Sequence, residues 1–96
     1  MLTLKDFNKS EELSPAGLDE KIYIAEFGDY TIEIIIVEPI DEKKRLLLVA
    51  LRNKGRIFRS EERRLEHNGE LKRGQINEIL LKGLSIANKF YKDFIA

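Results

Sequence analysis

KIYIAEFGDYTIEIIIV, residues 21–37, decides the fold. Two runs that alternate in polarity, Lys21 to Phe27 and Tyr30 to Val37, are separated only by Gly28 and Asp29. That spacing predicts a β-hairpin closed by a type II′ turn, with glycine taking the positive φ at its first position. The turn fixes the register. Phe27 opposite Tyr30 sets Ala25 against Ile32 and Tyr23 against Ile34 on one face, the expected core face. The other face sets Ile22 against Ile35, but Ile24 against Glu33 and Glu26 against Thr31, and is only half apolar.

Beyond this hairpin, Pro39 to Lys44 reads as a polar turn and Arg45 to Arg52 as a strand. Its two faces are Leu47, Val49, Leu51 and Leu46, Leu48, Ala50, so it is expected to be central and covered on both sides. Asn53-Lys54-Gly55 reads as a three-residue turn, with Gly55 left-handed, into a strand Arg56 to Ser60. Asn68-Gly69 predicts a further hairpin, Arg63 to His67 against Glu70 to Arg73. Before the first hairpin, Thr3 and Asp6 read as a short capping box. It opens a helix of two or three turns with Leu4 and Phe7 on one side, ended by Ser14-Pro15-Ala16-Gly17.

The last segment has helical period. At 100° per residue, Ile76, Ile79, Leu80, Gly83, Ala87, Phe90, Tyr91 and Phe94 share one arc, opposite Glu78, Lys82, Ser85, Lys89 and Lys92. Gly83, in mid-stripe, costs about 1 kcal/mol against Ala, so close approach of helix to sheet is its expected purpose. Asn77 is the expected N-cap. Together these readings predict an α+β fold: a short N-terminal helix, a four- to five-stranded antiparallel meander, and a long C-terminal amphipathic helix on one sheet face. One domain spans 1–96, with an N-terminal segment 1–20, a sheet 21–73 and a helix 75–95.

One helix covers one face of a sheet, yet Arg45 to Arg52 asks for cover on both. Either Leu2, Leu4, Phe7 and Leu13 fold across the second face, or another copy does, and the latter is the basis for expecting a homodimer.

Composition narrows the chemistry. Ninety-six residues at 43% hydrophobic suffice for one modest core. There is no cysteine, which excludes disulfides, thiolate nucleophiles and Cys-rich zinc sites. Ser10, Ser14, Ser60 and Ser85 have only His67 as a base, and His67 adjoins an expected Asn-Gly turn, where a loop histidine is normally solvated. The six glycines are scattered singly, so there is no phosphate loop. Glu26, Asp29 and Glu33, or Asp41-Glu42 with Lys44, are conceivable magnesium ligands, but solvated acids are the simpler reading. A non-catalytic protein without cofactor or metal is expected. No apolar run approaches the ~20 residues of a membrane span, and Met1 to Ser10 has no signal-type apolar region, so a cytoplasmic, non-membrane location is expected.

Seventeen basic and seventeen acidic residues cancel, but not locally. Residues 1–42 carry three lysines against eleven acids, a net of −8; residues 43–96 carry fourteen cations against six acids, a net of +8. Such asymmetry is a hint of an ionic partner, or of strands that neutralise one another in one sheet. With a three-residue turn at 53–55, Arg52 and Arg56 face each other with Lys54 at the tip, a repulsion that nearby acids or a bound anion would relieve. Phe58, on the side of Arg56, offers a ring for stacking. Cations beside an exposed ring suit single-stranded DNA or RNA, because charge tracks phosphates and a ring receives a base. The candidate nucleic-acid-binding residues are Arg52, Lys54, Arg56, Phe58, Arg59, Arg63 and Arg64.

The alternative is a protein-binding or inhibitory module of viral or immunity type. It would meet a basic partner with the acidic N-terminal half, Glu11, Glu12, Asp19, Glu20, Glu26 and Asp29. A meander followed by one helix also resembles small single-strand-binding families, the eukaryotic positive transcription cofactor and the purine-rich-element-binding repeats. The likeness to the cofactor is closest at Gly69-Glu70-Leu71-Lys72-Arg73-Gly74, as a hairpin arm ahead of the helix, and spans at most Gly55 to Phe90. It is a likeness of shape and carries over no functional residue.

Overall fold

A computed structural model describes residues 1–10, 18–39, 44–66 and 73–96. A single 3-10 turn, Leu4–Asp6, precedes five strands: β1 (Asn8–Ser10), β2 (Leu18–Phe27), β3 (Tyr30–Pro39), β4 (Lys44–Asn53) and β5 (Arg56–Glu66). Helix α1 (Arg73–Phe90) follows and ends in a π-helical turn, Tyr91–Ile95. The strands form one antiparallel sheet in the order β1-β2-β3-β4-β5, so each pairs only with its chain neighbours. The α+β meander with a C-terminal helix on one face is therefore the architecture.

The first hairpin has the register its sequence dictates: Phe27 pairs with Tyr30, Ala25 with Ile32 and Tyr23 with Ile34. Gly28 takes φ +62° while Asp29 stays negative, as a type II′ turn requires. The strands run further than their apolar pattern, to Leu18 and Pro39, because backbone pairing continues where side-chain alternation stops.

Three expectations fail. The N-terminal helix of two or three turns is one 3-10 turn, after which Asn8–Ser10 pairs along the outer edge of β2. Thr3 and Asp6 do form their box, Thr3 N–H donating to Asp6 Oδ2 at 2.8 Å. What stops the helix is Phe7, which is buried in the core, while the free edge of β2 supplies backbone partners to residues 8–10. Second, Arg63 does not begin a separate hairpin arm. β5 continues past Ser60 to Glu66, and Arg63, Arg64 and Leu65 pair with Leu47, Leu46 and Arg45. A central β4 leaves backbone groups along its whole length, and β5 satisfies them. Third, α1 begins at Arg73, so Asn77 lies inside the helix rather than capping it. His67 and the Asn68-Gly69 turn lie outside the described residues.

The core fills the space between sheet and helix. Ile32, Ile34, Ile36, Leu47, Val49 and Leu51 are fully buried and meet Ile79, Leu80, Gly83, Ala87 and Phe90 of α1. Gly83 has the close approach its position implied: a Cβ there would lie 2.7 Å from Ile34 Cγ2 and 3.3 Å from Leu47 Cδ1. Leu2 and Phe7 join this same core. Asn88 holds Leu2 there, its Oδ1 accepting from Leu2 N–H at 2.7 Å and its Nδ2 donating to Leu2 O at 3.1 Å. The N-terminal segment therefore flanks the helix, and Leu2, Leu4 and Phe7 do not cross the second sheet face as one alternative had it. Leu13 lies outside the described residues. By the same register, Ile22, Ile24, Ile35, Val37, Leu46 and Leu48 point to that second face, and none belongs to the helix-side core or packs against it. Among the described residues no helix is long and apolar enough to cross a membrane.

Candidate nucleic-acid interface

The β4–β5 hairpin is tighter than a three-residue turn. Asn53 pairs directly with Arg56, leaving Lys54 and Gly55 as a two-residue turn. Both have positive φ, 51° and 83°, the condition of a type I′ turn, which matches the right-handed twist of the flanking strands. This corrects the expected juxtaposition of arginines. Arg52 lies opposite Ile57, on the second sheet face, while Arg56 lies opposite Asn53 on the helix side. Beyond them the register shifts: Leu51 pairs with Arg59, so Phe58 is the extra residue of a β-bulge.

Arg52 is not open to a ligand. Its Nε donates to Glu33 Oε1 in an ion pair, and Nη1 donates to Gly55 O at 3.0 Å. The acidic β3 and basic β4 thus neutralise each other at one point, as adjacent strands of opposite charge can. The anion that repulsion between Arg52 and Arg56 would have invited is not called for.

The bulge builds something the sequence did not show. Phe58 meets Phe94 of the final turn edge to face, with ring centres 5.2 Å apart and planes at 86°. The Arg59 guanidinium carbon sits 4.4 Å from the Phe58 ring centre and 5.3 Å from that of Phe94, and its Nη1 donates to Phe58 O at 2.8 Å. A cation is thereby fixed against two rings. Phe58 nevertheless keeps 40% of its surface exposed, and Ile57 beside it keeps 58%. Asn53, Lys54, Arg56, Ile57 and Phe58 line a shallow concavity of about 540 Å³. Lys54 and Arg56 are exposed and make no ion pair among the described residues. Lys54 N–H donates to Asp29 O at 2.8 Å, docking this tip against the β2–β3 turn.

The remaining two candidates are elsewhere. Arg63 lies further along β5, its Nη2 paired with Glu61 Oε2 at 2.9 Å and its Nη1 donating to Glu62 O. Arg64 faces the second side, opposite Leu46. The seven-residue patch therefore reduces to Lys54, Arg56, Phe58 and Arg59, with Phe94 and Ile57 as members that sequence reasoning missed. Phe94 was legible only as part of the helix stripe. Among the described residues no group of three His, Asp or Glu side chains is placed to hold a metal, and Glu33 is engaged by Arg52. Asp41 and Glu42 lie outside the described residues.

Comparison with protein-family models, curated proteins and solved structures finds no match. Of the segment that carried the likeness to the positive transcription cofactor, residues 69–72 lie outside the described residues, and Arg73 and Gly74 open α1 instead of ending a hairpin arm.

Proposed function

We propose that the chain is a non-catalytic binding module that takes single-stranded nucleic acid at the tip of the β4–β5 hairpin. The observation that carries this reading is the Phe58 ring, exposed at a strand bulge, buttressed by Phe94 and Arg59, with Lys54 and Arg56 beside it, exposed and without an ion pair among the described residues. A base stacks on the ring while the three cations meet two or three phosphates. The competing reading, a protein-binding module using the acidic half, retains Glu26 and Asp29 as exposed described acids, since Glu33 is tied to Arg52.

Fluorescence anisotropy with single- and double-stranded oligonucleotides tests this. Three phosphate contacts on a single strand give a log–log salt slope of about −2, so a fourfold rise in salt weakens binding about 20-fold. Arg56→Gln, at an exposed position, makes the slope shallower by about 0.7. Phe58→Ala weakens binding about 5- to 160-fold and leaves the slope unchanged. Absence of binding to either oligonucleotide at low salt overturns the reading and leaves the acidic turn as the surface to probe.

A further inference from the structure

The sheet face turned away from α1 is the largest feature with no role so far. Val37 pairs with Leu46, Ile22 with Ile35 and Ile35 with Leu48, and Ile24 lies beside them, so aliphatic side chains from three strands form one continuous block. The seventeen residues that the structure does not describe contain, apart from Pro15, only Leu13, Ala16, Ile40 and Leu71 as apolar residues. Both signs are present among the side chains described on this face: Glu26, Glu33 and Glu62 oppose Arg52 and Arg64, with Glu33 and Arg52 already paired. Those side chains offer no basic track to a polyanion and no single-signed surface to a charged partner. The face is compatible with itself.

We propose that two copies of this chain pack through this face, related by a two-fold axis running along the strands between β3 and β4. Area supports a second copy. Four strands at ~4.8 Å spacing and ten residues at ~3.4 Å rise make a face of about 650 Å², so two copies bury about 1,300 Å², within the range of stable interfaces. Pairing across the sheet selects the axis. Along the strands, it sets Leu48 of one copy over Ile35 of the second and Leu46 over Val37, aliphatic on aliphatic. An axis across the strands through Val49 and Ile34 would instead set Leu46 over Arg52 and Val37 over Thr31, mixing the aliphatic end of the face with its polar end. Edge-to-edge association is the poorer alternative, because the exposed edge strand β5 carries Glu61, Glu62, Arg63 and Arg64 in succession and a bulge at Phe58.

The axis along the strands also leaves both β4–β5 tips at the same end of the dimer. The proposal does not depend on what those tips bind.

Light scattering and sedimentation on the full chain at micromolar concentration test it. The expected mass is twice the 11.2 kDa of one chain. Leu48→Glu is expected to halve that mass with the far-UV circular dichroism unchanged. Leu81→Glu places the same charge at a leucine 55% exposed on α1 and is expected to leave the dimer intact. If Leu48→Glu does not fold, Leu48→Thr, whose β-branched side chain suits a strand, is expected to raise the dissociation constant at least tenfold. A wild-type mass of one chain overturns the proposal. So does a dimer that survives a folded Leu48 variant, or one that Leu81→Glu disrupts equally. Failure of oligonucleotide binding bears on the hairpin alone.

Discussion

The same substitution at two glycines of α1 should have opposite signs. At Gly83 an added methyl would stand 2.7 Å from Ile34 Cγ2 and 3.3 Å from Leu47 Cδ1. Ile34 and Leu47 are fully buried, and Cγ2 is a branch methyl fixed at the root of its side chain, so it cannot swing aside. Either the helix lifts or the strand distorts. Overpacking of this kind costs about 1–3 kcal/mol, against about 1 kcal/mol gained by replacing glycine with alanine in a helix. Gly83→Ala is therefore expected to lose about 1 kcal/mol net, a fall of about 4–8 °C in Tm for a domain of this size. At Gly74 a Cβ meets nothing within 4 Å, so Gly74→Ala collects the propensity gain alone, up to about 1 kcal/mol. Urea denaturation of the three proteins reads both values. A Gly83→Ala protein as stable as the parent would refute the close contact between α1 and the β3–β4 face.

Two further outcomes follow from the polar contacts. The Glu33–Arg52 pair should show a coupling of about 1 kcal/mol in a double-mutant cycle with Glu33→Ala and Arg52→Ala, discounted for an Arg52 side chain 34% exposed; zero coupling would detach β3 from this contact. Asn88→Ala removes both bonds to Leu2 and is expected to cost about 1–2 kcal/mol, with faster amide exchange over residues 2–7 while β3 and β4 stay protected.

What the sequence made legible was governed by local geometry and by burial. Gly28-Asp29 fixed a turn, the turn fixed the register, and alternation then assigned each side chain of β2 and β3 to a face. The stripe from Ile76 to Phe94 carried α1 in the same way, and Gly83 betrayed the contact beneath it. β1 and the far half of β5 left no such trace. Asn8-Lys9-Ser10 and Ser60-Glu61-Glu62-Arg63-Arg64 are held as edges by backbone pairing, which any polar side chain tolerates, so no apolar period announces them. The candidate site suffered from the same blindness. Whether Arg52 and Arg56 face each other depends on Lys54 adopting a positive φ, a conformation rare for lysine, and on one extra residue at Phe58. Neither has a signature in the residue types.

The sequential strand order has a consequence for how the chain acquires its structure during synthesis. Each strand finds its partner within a short loop of the one before, so β1 to β5 can assemble in the order they leave the ribosome with little loop-closure entropy to overcome. The helix that seals Ile34, Val49 and Leu51 emerges behind every strand it covers. Until then the nascent sheet is greasy on both sides. Cotranslational handling therefore matters most in the interval between Glu66 and Phe90, when pairing is complete and cover is still to come.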